Sequence, residues 1–316
     1  MNTMTPSPSP TDRPTHVPPT GTALEYHQRL GHEQPKAWRG VIALVLLLIG
    51  MLVFSFGFTI LATVIEVAIK GAPPQGSFSP AVFAGAMLGL AALTPWSMLL
   101  QKWFFKVPMA SLHSITARFR WDIFGRTLAI VIPLWALLQF VYPMLIPQPT
   151  MDYPRADVLA YVVLALTLVP LQSMGEEYAF RGLAFRIAAS WGRGPRAALV
   201  IGIVVSSLLF MVAHFAMDPW LNIYYFTFGA ALCVITWRTG GLEAAIVLHA
   251  VNNSLAFVTS VALRQDLSAG LDRSAGAASA VMLIPCALLV AIAAIVWWRT
   301  PRAASGSSER QPALAE

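Results

Sequence analysis

Eight runs of about twenty mostly apolar residues leave this chain few ways to fold. They lie at roughly Val41 to Ile65, Ala81 to Leu100, Thr127 to Ile146, Val158 to Arg181, Ala197 to Phe215, Leu221 to Trp237, Leu242 to Leu263 and Ala277 to Trp298. Each matches the length of helix that crosses a bilayer. In hydrocarbon the backbone must satisfy its own hydrogen bonds, so runs of this length form helices. Composition agrees: 57% of the residues are hydrophobic and 11% charged, against about a quarter charged in a soluble domain. The expected fold is all-α, a polytopic transmembrane helix bundle of about eight spans. Trp38, Trp103, Trp297 and Trp298 sit at span ends, where amphipathic rings prefer the interface.

The basic residues sort by side. With eight spans, seventeen of the 21 lysines and arginines fall on the side of the two termini, and only Lys70, Arg155, Arg264 and Arg273 on the other. Basic loops stay inside, so the termini are expected in the cytoplasm of a multi-pass protein of the plasma (inner) membrane. The segment from Gln101 to Arg126 is basic and aromatic and is expected to lie partly along the membrane surface. Residues 1–40 are polar and Pro-rich and read as a disordered cytoplasmic tail. Residues 41–300 form the transmembrane domain, and 301–316 a second disordered tail. The charge of +6 comes from residues between apolar spans, which points away from nucleic acid. Cys233 and Cys286 lie in separate apolar runs and suggest neither a disulfide nor a thiolate metal site.

The fourth run ends in Gly175-Glu176-Glu177-Tyr178-Ala179-Phe180-Arg181-Gly182. Charge inside a membrane is costly, is placed there with partners, and usually marks function. Glu176 and Glu177 point about 100° apart on a helix, so only one can face a given point. Glu177 and Arg181 have the i,i+4 spacing of an ion pair, which leaves Glu176 free. A purely structural pair with Arg181 snorkelling to the interface is the alternative. His214 follows Phe210 by four residues on the fifth run. His249 and Asn253 share a face of the seventh, with Asn252 and Ser254 on other faces. The remaining histidines, His16, His27, His32 and His113, fall in the tail or a loop.

Glu176-Glu177-Tyr178-Ala179-Phe180-Arg181, then Phe210-Met211-Val212-Ala213-His214, then His249-Ala250-Val251-Asn252-Asn253, in this order on three expected helices, resembles the CPBP family. That group comprises type II CAAX prenyl endopeptidases and the Abi or bacteriocin-processing membrane proteins. The resemblance covers about residues 150–265, and Gly182-Leu183 and Phe185 fit the same pattern. It implies an intramembrane protease with its active site in an intramembrane cavity. In that reading Glu176 is the general base and His214 helps to hold the attacking water. His249 and Asn253 stabilise the oxyanion, and Glu177 and Arg181 support the site. Hydrolysis does need an activated water and donors aimed at developing charge.

The family is commonly labelled a metalloprotease. Glu176, His214 and His249 could make a three-ligand zinc site. The lack of a His-Glu-x-x-His pattern leans the reading toward a metal-independent glutamate mechanism. The implied partners are a membrane-associated protein or peptide substrate and the lipid bilayer. A cavity open to the cytoplasm is expected to reach Glu176. A non-catalytic scaffold or bacteriocin-immunity protein is the alternative, and a proton-coupled transporter a further one. One tension concerns depth. At about 1.5 Å per residue, His214 lies roughly 27 Å along its helix from Arg196, and Glu176 only about 15 Å from Arg186. To meet, the fourth helix must overrun the bilayer face, the fifth must start in water, or Pro170 must kink the fourth.

Overall fold

The computed structural model describes residues 24–32, 36–71, 78–145 and 149–305. Among these, eight helices are long and apolar enough to cross a membrane. They are α1 (Ala37–Lys70), α2 (Pro80–Phe105), α3 (Trp121–Leu145), α4 (Arg155–Ala189), α5 (Pro195–Ala213), α6 (Pro219–Thr239), α7 (Glu243–Ala262) and α8 (Leu283–Arg299). The protein is an integral multi-pass membrane protein with the expected all-α, polytopic bundle. Its surface is that of a body solvated by lipid: Val53, Phe56, Ile60, Ile130, Leu159 and Val212 are all at least 60% exposed.

Caps mark the helix ends as local chemistry requires. Ser79 and Asp218 accept from the first-turn amides of α2 and α6, each with proline at the start, which satisfies donors the helix leaves free. Gly71 and Gly240 take positive φ to end α1 and α6. Helix α2 is interrupted at Ala92. Pro95, lacking an N–H, cannot bond the carbonyl of Ala91.

Close packing relies on small residues. In Gly85-Ala86-Met87-Leu88-Gly89, a Cβ on either glycine would stand 2.6 Å from a carbonyl oxygen of α1, that of Phe58 or Phe54. Backbones approach this closely in membranes only where side chains are absent. Gly175 is tighter still, with its notional Cβ 2.1 Å from the carbonyl oxygen of Leu90. Gly175→Ala is therefore expected to push α4 off α2 and to lower stability by about 1–3 kcal/mol, the usual cost of overpacking. A thermal midpoint in detergent equal to that of the unaltered protein would contradict this.

The fourth span differs from the expectation that it ends near Arg181. It continues to Ala189, and Tyr178–Ala184 is a π-helical segment between two α-helical ones. Arg181 and Arg186 thus lie inside the bundle rather than in a loop, each 1% exposed. The long helix eases the depth tension: Arg186 is buried within α4 rather than marking its end, and Phe185 and Ala189 pack against Gly202 of α5.

That end is closed by segments the sequence reading left unstructured or on the surface. Residues 24–32, inside the expected tail, are folded. Tyr26, His27 and Leu30 are buried. Leu24–Glu25 pairs antiparallel with Ala304–Ser305, a stretch also expected to be unstructured. The rest of both tails, residues 1–23, 33–35 and 306–316, lies outside the described residues. Part of the segment after α2 tucks against the end of the bundle. Tyr26 donates to the Leu112 carbonyl at 2.6 Å, Ser114 bridges to Gly241, and Arg120 pairs with Glu243 at 2.6 Å. Arg186 donates to the Ser111 carbonyl at 2.6 Å and stacks on Tyr26.

Burial holds the imidazole of His27 well below its usual range, at about 4 against 6.5, although nearby Glu25 opposes this and Arg186 adds to it. A histidine depressed in the folded state binds its proton more weakly than when released. Its contribution to docking is full above pH 6.5 and is lost as pH falls toward 4. At about 1.4 kcal/mol per unit, the N-terminal segment should loosen by on the order of 3 kcal/mol across that window. Hydrogen exchange of residues 24–32 measured from pH 7 to pH 4 tests it; His27→Phe should abolish the pH dependence.

Candidate active site

Helix α4 presents its two glutamates to opposite edges of one imidazole, that of His249. Glu177 is fully buried. Its Oε1 stands 3.1 Å from Arg181 Nη1 and 2.7 Å from His249 Nδ1. The guanidinium of Arg181 lies 4.0 Å over the Phe210 ring and 5.6 Å from that of Phe228. The expected Glu177–Arg181 pair is thus present and carries a third member. Ser206 Oγ on α5 donates to the carbonyl of Phe180 inside the π-helical segment at 2.8 Å. A π-helical turn commonly marks a functional site, and here it carries the whole stretch from Tyr178 to Ala184.

Glu176 turns the other way. Its Oε2 is 3.5 Å from His249 Nε2 and has no direct hydrogen-bond partner. His249 therefore stands between both carboxylates, one on each ring nitrogen. With Nδ1–H donating to Glu177, the tautomer rule leaves Nε2 facing Glu176. Two carboxylates, one imidazole and one guanidinium thus meet inside the bundle.

His214 caps α5. Its Nδ1 bonds the Phe210 carbonyl at 2.7 Å, and its ring stacks on Tyr225 with centroids 3.8 Å apart. The bond at Nδ1 leaves Nε2 as the free ring nitrogen. His214 and Glu176 line one cavity of about 310 Å³ between α1, α2, α4 and α5, whose walls include Met51, Phe56, Leu90 and Phe180. His214 also lines a second cavity, of about 600 Å³, with Asn252, Asn253, Tyr224 and Tyr225.

Asn253 does not bond Glu176 directly. Its Nδ2 donates to Gln172 Oε1 at 3.3 Å, and Gln172 hydrogen-bonds Glu176. Asn252, a bland neighbour in the sequence, donates to Asn253 Oδ1 at 2.9 Å and accepts from Trp135 Nε1 at 2.8 Å. An indole N–H can only donate. It therefore orients the relay Trp135, Asn252, Asn253, Gln172 so that an N–H ends on the Glu176 carboxylate. Gln172 and Trp135 escaped the sequence reading. Gln172 sits one turn before Glu176, a polar residue in an apolar run, and that spacing is the signal that could have found it. Trp135 comes from α3, and nothing local marks it. His113, placed in a loop, hydrogen-bonds the Tyr178 hydroxyl next to Glu177.

His249 Nδ1 is taken by Glu177, while Nε2 faces Glu176 at 3.5 Å without a hydrogen bond. Among the described residues no three His, Cys, Asp or Glu side chains converge as a ligand set. Glu176, His214 and His249, the candidate ligands, are therefore not gathered as one set in this structure.

Residues 157–255 match the family described as type II CAAX prenyl endopeptidase Rce1-like. That range contains Glu176, Glu177, Arg181, His214, His249 and Asn253. The Bacillus subtilis (strain 168) protein "Uncharacterized protein YyaK" is 37% identical over 95 residues, 28% of this chain and 30% of that protein. The chain thus aligns with under a third of that relative's length. No solved structure matches.

Proposed function

We propose that this protein is an intramembrane endopeptidase that hydrolyses a peptide bond of a membrane-associated protein or peptide. The carrying observation is the Glu177–His249–Glu176 array, in which one imidazole is held by one carboxylate and presented to the free oxygen of another. The likeness of residues 157–255 to Rce1-like endopeptidases supports the same reading.

A water in the cavity shared by Glu176 and His214 gives its proton to Glu176 as it attacks the scissile carbonyl. The free ring nitrogen of His214 orients that water. His249, as donor from Nε2, and the second N–H of Asn253 face the oxyanion. The proton on Glu176 then passes to the leaving amine. Glu177 and Arg181 keep His249 aligned and charge-balanced, a positioning role rather than a chemical one. Preorganised donors of this kind act strongly where water is excluded. The seventeen-to-four sorting of basic residues supports an arginine-rich end in the cytoplasm of the plasma membrane.

Substrate trapping tests the function. The Glu176→Gln variant, expressed in membranes and crosslinked, should retain a polypeptide that the unaltered protein cleaves. Capture of the same uncleaved polypeptide by both proteins would favour the scaffold reading. Activity of the purified protein that disappears on chelation and returns with zinc would overturn the metal-independent mechanism.

A further inference from the structure

We propose that the scissile peptide enters from the face opposite the arginine-rich end, through the 600 Å³ cavity, so that the substrate is a peptide segment exposed outside the cytoplasm. This rests on the endopeptidase reading above, and it reverses the expectation of a cavity open to the cytoplasm.

Among the described residues, the arginine-rich end offers no path. Tyr178 and Phe185 on α4, Leu112 beneath the bundle, Trp237 at the end of α6 and Leu242 before α7 are each 3% exposed or less. They form one apolar cluster with Tyr26 of the N-terminal segment. Glu177, on the α4 face toward that seal, has no exposure at all.

The opposite half is hollow. The larger cavity has His214 and Asn253 among its walls, and the loop between α7 and α8, residues 265–279, lines it from the other side. That loop is tied to the chain's other connections on the same face: Asp266 N donates to the Pro149 carbonyl, and Met217 N to that of Arg273. The volume lies in the range of sites that enclose a ligand of a few residues.

The wall chemistry fits an uncharged peptide backbone. The Gln139 amide and the Thr259 and Ser260 hydroxyls offer donors and acceptors. The carboxylates of this wall are already satisfied. Asp266 accepts from Ser268 N and Oγ, and Asp272 from Ser274 N. The smaller cavity at Glu176 has mostly apolar walls, Met51, Leu52, Phe56, Leu90 and Phe215 among them, and would strip a peptide backbone of its hydrogen bonds. His214 lines both cavities and is the wall residue they share. The charge sorting then assigns the sides. The loops at the sealed end are rich in arginine, and the hollow end carries only Lys70, Arg155, Arg264 and Arg273, the bias of an extracytoplasmic face.

A single cysteine at Thr259 tests the route, with the buried Cys233 and Cys286 replaced by alanine. A membrane-impermeant, charged thiol reagent is applied to intact cells and to inverted vesicles. Arg193→Cys reports the sealed face. Cleavage of a quenched fluorescent peptide library by the purified Thr259→Cys protein is compared before and after labelling. Expected are labelling of Thr259→Cys in intact cells, labelling of Arg193→Cys in inverted vesicles only, and at least a tenfold loss of cleavage on labelling Thr259→Cys. Labelling of Thr259→Cys only in inverted vesicles would overturn the outward face. Cleavage unchanged by the label would overturn the route. A protein labelled as expected whose unlabelled form, and whose parent, cleave nothing would bring down the endopeptidase reading itself, a failure the unlabelled controls separate from the other two.

Discussion

Glu177→Ala is expected to give a protein that inserts poorly, unfolds early in detergent and cleaves nothing. Glu177 is the shared partner of Arg181 and His249, at 3.1 and 2.7 Å, and none of the three is more than 2% exposed. Removing it leaves a guanidinium in the bundle with only the rings of Phe210 and Phe228 as company. Breaking a buried pair by deleting one partner costs about 3–5 kcal/mol, because an uncompensated charge remains. The cost should fall largely on folding, so membrane abundance and the thermal midpoint should drop before activity is considered. Glu177→Ala with Arg181→Met removes both charges and should recover much of the midpoint, since apolar replacement of a buried pair is often neutral. It should recover no cleavage, because His249 then lacks the carboxylate that orients it. A Glu177→Ala protein as stable as its parent would show that the buried array does not hold α4 to α7.

Glu176→Gln should give the opposite profile, with the fold kept and cleavage lost. Its Oε2 has no direct hydrogen-bond partner, and the amide keeps the size and can still accept from Gln172. An amide cannot take a proton from water. Loss of a general base costs about a hundred- to ten-thousandfold in rate, so cleavage should fall by that factor with the thermal midpoint within about a degree. Near-normal cleavage would remove Glu176 from the chemistry. Adjacent residues with identical side chains would thus fail in different ways, and the difference lies in what each faces.

The sequence carried much of this on its own. Hydropathy is a local sum, so eight spans were legible, and their bounds agree with the helices to within a few residues at most ends. The i,i+4 spacing of Glu177 and Arg181 and of His249 and Asn253 is likewise local geometry, readable once the runs are helices. What required the tertiary structure is everything that depends on which helix meets which. No pattern in Leu171-Gln172-Ser173 says that Gln172 will join Asn253 to Glu176, nor does anything in α3 say that Trp135 will polarise Asn252. The extension of α4 through a π-helical turn to Ala189 is decided by packing, since Gly175 meets the backbone of Leu90 and Ser206 takes the freed carbonyl of Phe180. The N-terminal segment reads as tail because nine folded residues cannot bury much area alone; they fold because Leu112, Phe185 and Arg186 provide a surface for them. Cavities, and therefore the face from which a substrate can come, are gaps between helices, and a gap has no residue of its own to carry it in the sequence.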